Sequence, residues 1–124
     1  MQLCFQNSHG STLSTAVMWY NPGACGGDGG NWETRGWWKV DPGDTVHTNV
    51  WTDNRYFCFY AEAEDGRFWS GQFVTEISIY AFDGCYAIAH AVFDTPSPYF
   101  DVGMRLVDTG WWSWAYVTYT VNLL

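Results

Sequence analysis

Short apolar runs separated by turn-forming residues constrain the fold of this chain most. Apolar and polar residues alternate with a period of two, and β-branched or aromatic runs recur about every 8 to 12 residues. Apolar residues at helical spacing are nearly absent. Turn signals such as Asn21-Pro22-Gly23, Asp41-Pro42-Gly43-Asp44 and Asp83-Gly84 separate the runs. The pattern predicts strands at Gln2–Gln6, Leu13–Tyr20, Gly36–Val40, Thr45–Trp51, Arg55–Ala63, Gln72–Phe82, Tyr86–Phe93, Phe100–Val107 and Trp112–Asn122.

The size of the chain favours one domain with one main core. It has 124 residues and a mass of 14.2 kDa, and a chain of that size buries about two-thirds of its unfolded surface. We therefore expect a single domain over residues 1–124. The strand pattern predicts an all-β fold, a two-sheet antiparallel β-sandwich of eight or nine strands of the jelly-roll or immunoglobulin-like type. A closed small barrel is the alternative.

The abundance of tryptophan is the strongest indication of function. The chain has nine Trp, eight Tyr and eight Phe, and Trp occurs as the doublets Trp37-Trp38 and Trp111-Trp112, with Trp114 close behind. Because neighbouring side chains of a strand point to opposite faces, a doublet within a strand directs its two indoles to opposite faces. We therefore expect some indoles to be exposed and to form a binding surface.

The alternation within the predicted strands selects the candidate binding residues. In the last strand, Val117, Tyr119, Val121 and Leu123 form the more apolar face. Alternation then directs Trp112, Trp114 and Tyr116 to the opposite face, together with two threonines. Aromatic rings beside polar groups suit the stacking and hydrogen bonding of sugar rings. The candidate ligand-binding residues are Trp37, Tyr60, Glu62, Trp69, Trp112, Trp114 and Tyr116.

These residues favour a non-enzymatic, lectin-like domain that binds carbohydrate, with a glycan or another cell-surface component as partner. The alternative is that the exposed aromatic stripe mediates protein interaction or self-assembly, in which case a homo-oligomer is expected. A rise in sedimentation with concentration would indicate assembly. Quenching of tryptophan fluorescence by sugar at constant mass would indicate a lectin.

The charge of the chain argues against two classes of partner. Five Lys and Arg residues against 13 Asp and Glu residues give a formal net charge of −8, which repels nucleic acid and anionic bilayers. No apolar stretch of about 18 residues predicts a membrane span, and no standard signal peptide is visible. We expect a secreted or cell-surface protein, while export without a standard signal, a cytoplasmic location and a mature domain with an added Met1 stay open.

The four cysteines favour a disulfide over a metal site. None has the spacing of zinc ligands. Cys25, in the glycine-rich stretch Asn21–Arg35, and Cys85, after a turn, are predicted to pair. Cys4 and Cys58 lie in predicted strands, either paired with each other or buried as free thiols. The stretch Asn21–Arg35 is expected to be a loop without regular structure, either a mobile loop or a binding loop.

Residues typical of catalysis are present without a convincing arrangement. Glu62 and Glu64 are two apart on one predicted strand, which allows their carboxylates to approach the separation of roughly 6.5 to 9.5 Å used by inverting glycosidases, but adjacent surface acids give the same pattern. Aspartates in turns, among them Asp28, Asp41, Asp44, Asp53 and Asp65, are able to ligate Ca²⁺ but are ordinary turn residues. His9, His47 and His90 are scattered. We expect no enzyme, no cofactor and no bound metal.

Three segments resemble a known family. Gly36-Trp37-Trp38-Lys39-Val40-Asp41-Pro42-Gly43-Asp44, the stretch Tyr60–Gly71 (YAEAEDGRFWSG) and the stretch Val102–Asp108 (VGMRLVD) are similar to motifs of the bacterial domain-of-unknown-function family number 1036. The resemblance implies a small, often exported β domain that contains cysteines. It implies no activity and no catalytic residues. The chain departs from the family in its lack of a signal peptide and in its more aromatic segment Trp111–Tyr119.

Overall fold

The computed structural model describes residues 1–26, 31–85 and 99–124 and has an all-β fold. In these residues the only helical segment is a 3₁₀ turn at Ser113–Ala115, and none of them forms a helix long and apolar enough to cross a membrane. The strands are β1 (Gln2–Asn7), β2 (Leu13–Tyr20), β3 (Trp32–Val40), β4 (Thr45–Trp51), β5 (Tyr56–Ala63), β6 (Phe68–Trp69), β7 (Phe73–Ser78), β8 (Phe82–Cys85), β9 (Tyr99–Asp108) and β10 (Thr118–Leu123).

The strands form two sheets. The larger sheet has seven strands in the order β7-β9-β5-β2-β3-β8, with β6 paired to β5, and the smaller sheet has the order β10-β1-β4. All strand pairs in the described part of the chain are antiparallel except β1 and β10, which run parallel. The described residues alone form ten strands, more than the eight or nine predicted, partly because the predicted strand Gln72–Phe82 is divided between β7 and β8.

The first hydrophobic core lies between the two sheets. Phe5 of the smaller sheet packs there with Val17, Phe57 and other residues of the larger sheet. These residues alternate along their strands, so every second side chain is buried on this face. Along β5, Phe57 and Phe59 lie in this core and Cys58 and Tyr60 lie on the opposite face, as alternation requires.

The second core lies on the opposite face of the larger sheet, which curls over itself. Strand β9 pairs with β5 through residues 105–108 and with β7 through residues 99–104, so it links the central strands to the edge of the sheet. The Trp37 indole N–H of β3 donates to the Ser78 carbonyl of β7 at 2.9 Å, and the Trp37 ring stacks parallel to Phe100 of β9. Both faces of the larger sheet are therefore covered over part of its area.

The predicted disulfide between Cys25 and Cys85 is confirmed, with the two Cα atoms 5.6 Å apart. Cys4 and Cys58 are buried free thiols.

The predicted loop Asn21–Arg35 needs a correction, because β3 begins at Trp32 and pairs with β2 up to Tyr20. Pairing with a neighbouring strand supplies the backbone hydrogen bonds that the loop prediction left out. Asp28, His90 and the predicted strand Tyr86–Phe93 lie outside the described residues.

Candidate functional site

Residues 109–117 connect β9 to β10 and carry four exposed aromatic side chains, among them that of Trp111, the most exposed aromatic side chain of the described residues. We call this segment the aromatic loop. It begins at a turn in which Gly110 has φ +87°, a conformation that favours glycine. The Gly110 N–H donates to Asp108 Oδ1 at 2.8 Å, and the Thr109 hydroxyl donates to the Arg55 carbonyl at 2.6 Å. The first part of the loop is thus tied to β9 and to the start of β5.

A 3₁₀ turn fixes the middle of the aromatic loop. The Ala115 N–H donates to the Trp112 carbonyl at 2.9 Å, and the Tyr116 N–H donates to the Ser113 carbonyl at 3.2 Å. Ser113 is buried, and its hydroxyl donates to the Asp53 carbonyl at 2.8 Å. The turn therefore has one polar anchor directed inward, and the side chains on either side of Ser113 face solvent.

Three indoles stand out from this fixed backbone. Trp111 is 79% exposed, Trp112 67% and Trp114 65%. The rings of Trp112 and Trp114 contact each other edge to face, with centroids 5.7 Å apart. Large apolar side chains are usually buried, and an exposed cluster of them is typical of an interaction surface.

Arg55 positions the indole of Trp111. Its guanidinium donates Nε to Asp108 Oδ1 at 2.6 Å and one terminal nitrogen to Asp108 Oδ2 at 2.8 Å. It lies 4.2 Å from the centroid of the Trp111 ring and 5.1 Å from that of Tyr56. The hydrogen bonds from Arg55 and then from the Gly110 N–H lower the pKa of Asp108. The ion pair and the cation-π contact therefore hold one side of the loop.

The structure corrects the predicted last strand. The expected strand Trp112–Asn122 begins only at Thr118, so alternation does not apply to Trp112 and Trp114, although both are exposed as expected. Val117, expected on the apolar face, is 78% exposed because it precedes the strand and belongs to the loop. Leu123 is buried in the first core as expected.

The seven predicted ligand-binding residues do not form one site. Tyr116 lies in the aromatic loop with Trp112 and Trp114. Trp69, in contrast, is buried in the first core, and Trp37 is half-buried in contact with the second core. We leave Trp69 out of the candidate site because its indole is buried. We leave Trp37 out because its indole N–H is bonded to the Ser78 carbonyl and its ring is stacked on Phe100.

Tyr60 and Glu62 lie at the other end of β5. The Tyr60 hydroxyl donates to Glu62 Oε2 at 3.1 Å, and burial, followed by the neighbouring Glu62 charge, raises the pKa of Tyr60 to about 12. A shallow depression of about 310 Å³ beside them includes Phe68, Ser70 and Asp101. Six residues of extended strand, about 20 Å, separate this end of β5 from its start beside the aromatic loop.

One pair of reactive side chains was not anticipated from the sequence. Cys4 Sγ lies 3.2 Å from His47 Nδ1 across the β1–β4 pair. Burial raises the pKa of Cys4, which favours the thiol over the nucleophilic thiolate. Their separation of 43 residues gives no sequence signal, because the contact depends on strand register. Among the described residues, no group of three or more His, Cys, Asp or Glu side chains is arranged to hold a metal ion.

Comparison of the chain with protein-family models, with curated proteins and with solved structures finds no match. The functional argument therefore depends on the geometry of the chain itself. The aromatic loop is the surface where exposed rings, fixed backbone and neighbouring charged groups meet.

Proposed function

We propose that this chain is a non-enzymatic recognition domain that binds carbohydrate through the aromatic loop. The observation that carries the proposal is the presence of three largely exposed indoles on a loop that hydrogen bonds tie to Asp53, to Arg55 and to Asp108 of β9. Sugar rings have apolar C–H faces that stack on aromatic rings. Indoles already held in place lose little conformational entropy on binding, so more of the stacking energy contributes to affinity.

Polar groups beside the indoles support the same function. The Asp53 side chain is 79% exposed, and its own carbonyl accepts the hydrogen bond from Ser113 of the loop. The Arg55 guanidinium lies against the Trp111 ring. A carboxylate accepts hydrogen bonds from sugar hydroxyls, and a guanidinium donates hydrogen bonds to them. Such polar groups fix the orientation of a stacked sugar ring, which stacking alone does not.

The net charge of −8 selects among glycans. A sialylated or sulfated glycan is repelled by the protein as a whole, whereas a neutral glycan is not. We therefore propose a neutral glycan as the ligand. Binding of a neutral ligand also predicts an affinity that changes little with salt, because no charge pair is screened.

The test is a screen of neutral and anionic glycans followed by titration of tryptophan fluorescence. We expect neutral glycans to quench the fluorescence, and we expect Trp114→Ala to weaken binding by about 5-fold to 150-fold, since loss of one stacked ring removes about 1 to 3 kcal/mol by analogy with base stacking. Trp51→Ala is the matched control. Trp51 is 62% exposed but lies on β4, outside the aromatic loop.

Two outcomes would overturn the proposal. If no glycan binds and light scattering shows a mass that rises with protein concentration and falls in Trp114→Ala, the loop mediates self-assembly. If Trp51→Ala weakens glycan binding as much as Trp114→Ala, the aromatic loop is not the site.

Three wider properties belong to the same proposal. We propose a secreted or cell-surface location, supported by the Cys25–Cys85 disulfide, because disulfides persist mainly in oxidising compartments. We propose that the two sheets and the core between them form a sandwich of the jelly-roll or immunoglobulin-like type, although the curl of the larger sheet also approaches a barrel. Membership of the domain-of-unknown-function family number 1036 stays a proposal that rests on the three motifs.

A further inference from the structure

A cavity of about 700 Å³ opens on the curled face of the larger sheet, beside the second core. Its walls come from five strands and the residue before β7, so it is concave on several sides. The lining residues are Met18, Trp32, Tyr56, Cys58, Gln72, Phe73, Val74 and Leu106.

The cavity has a buried base and an apolar rim. Met18 and Cys58 are almost fully buried, whereas Phe73, Val74 and Leu106 are 42% to 50% exposed. Among the described lining residues, Gln72 is the only one with an amide side chain, and none of them carries a charge at neutral pH. Burial raises the pKa of Cys58 to about 11, so its thiol is neutral. Water in such a cavity finds few hydrogen-bond partners, which favours its replacement by an apolar ligand.

We propose that this cavity binds the hydrocarbon chain of a small amphiphile with an uncharged head group. The volume lies within the range of about 300 to 1,000 Å³ typical of small-molecule pockets, and the lining is mostly apolar as in such pockets. Met18 and Cys58 are buried while Phe73, Val74 and Leu106 are exposed, an arrangement that suits a chain whose end contacts the buried residues. A flat protein surface, in contrast, covers the rim and leaves the base empty, which forfeits the contacts of Met18 and Cys58.

The proposed chemistry makes two quantitative predictions. Burial of each added methylene contributes about 0.8 kcal/mol to the free energy of binding, which is equivalent to about fourfold in affinity. Octanol, with four more methylenes than butanol, is therefore expected to bind about two-hundredfold more tightly. The net charge of −8 disfavours an anionic head, so octanoate is expected to bind more weakly than octanol.

The two free cysteines provide an internally controlled test that does not depend on the aromatic loop. Cys58 lines the cavity, whereas Cys4 lies on the smaller sheet and is also buried. Methyl methanethiosulfonate labels free thiols and leaves the disulfide cysteines intact. We expect saturating octanol to slow the labelling of Cys58 at least tenfold and to leave the labelling of Cys4 unchanged, as measured by mass spectrometry of the separate peptides.

A variant that fills the rim gives a second readout. We expect Val74→Trp to weaken octanol binding at least tenfold in calorimetry and to remove the protection of Cys58. Ile79→Trp is the matched control, because Ile79 is also an exposed β-branched residue but does not line the cavity. If Val74→Trp does not fold, the proposal is tested by the labelling of Cys58 relative to Cys4 in the unaltered chain.

Several results would overturn the proposal. Equal slowing of Cys4 and Cys58, affinity that does not rise from butanol to octanol, or unaltered binding in Val74→Trp would each exclude a chain seated in the cavity. A doubling of mass on addition of octanol would assign the apolar rim to an interface between copies. Stronger binding of octanoate than of octanol would refute the uncharged head group. Loss of glycan binding in Trp114→Ala bears only on the aromatic loop.

Discussion

Replacing Trp114 with alanine should cost far less stability than replacing Trp69 with alanine. Trp114 is 65% exposed, so about a third of its surface is buried. With about 250 Å² for a large aromatic side chain and about 25 cal/mol per Å², this third contributes about 2 kcal/mol. The figure is an upper value because an unfolded chain also buries part of the ring. We expect Trp114→Ala to lower the free energy of unfolding by about 1 to 2 kcal/mol.

Trp69 is the buried counterpart. It is 5% exposed, packs in the first core, and contacts the His9 ring edge to face with centroids 5.4 Å apart. Removal of a large aromatic side chain from a core leaves a cavity as well as losing transfer energy, and costs about 3 to 5 kcal/mol. The difference between the two variants is thus about 1 to 4 kcal/mol, which a denaturant melt resolves.

Urea melts followed by far-ultraviolet circular dichroism provide the measurement, because both variants alter the tryptophan fluorescence directly. Trp114→Ala should keep the slope of the transition and shift its midpoint slightly, and Trp69→Ala should shift it strongly. A loss for Trp114→Ala as large as that for Trp69→Ala would show that the aromatic loop packs as a core. The binding argument would then lose its main support.

Two further predictions concern the disulfide and an ion pair. Replacement of both Cys25 and Cys85 by serine opens a loop with a sequence separation of 60 residues, and the chain-entropy relation gives a loss of about 4 kcal/mol; an unchanged urea midpoint would contradict it. Asp108 should titrate below about 3.9 in NMR, the value of an unperturbed aspartate, because Arg55 lowers its pKa. A lowered pKa stabilises the fold above the unfolded-state value, and this contribution disappears as the pH falls through the folded-state value; a titration at or above the unperturbed value would refute the assignment.

The strands that the sequence predicts best are those with local turn signals at both ends. The predicted bounds Leu13–Tyr20 and Thr45–Trp51 coincide with β2 and β4. Within β4, Val50 is buried and Trp51 is exposed, as alternation requires. Period-two alternation and turn residues are local properties, and they identify a strand whenever one of its faces meets a core.

The errors arise where distant contacts decide the local structure. Aromatic residues favour strands, and the sequence alone therefore extends the last strand back to Trp112. In the structure Ser113 instead bonds to the Asp53 carbonyl, 60 residues away, and the backbone forms a 3₁₀ turn. The parallel pairing of β1 with β10 joins the two ends of the described chain and has no local signal either. The apolar cavity belongs to the same class, because it exists only once the larger sheet curls.

The two tryptophan doublets show what alternation predicts and what it does not. Trp37 and Trp38 are directed to opposite faces as predicted, since Trp37 packs against the second core and Trp38 against the first. Neither is highly exposed, because the larger sheet has a core on each face. Trp111 and Trp112 are exposed for a different reason, namely that they lie in a loop whose inward anchor is a serine. Exposure of an aromatic doublet therefore depends on the number of covered faces around it, which strand alternation alone does not reveal.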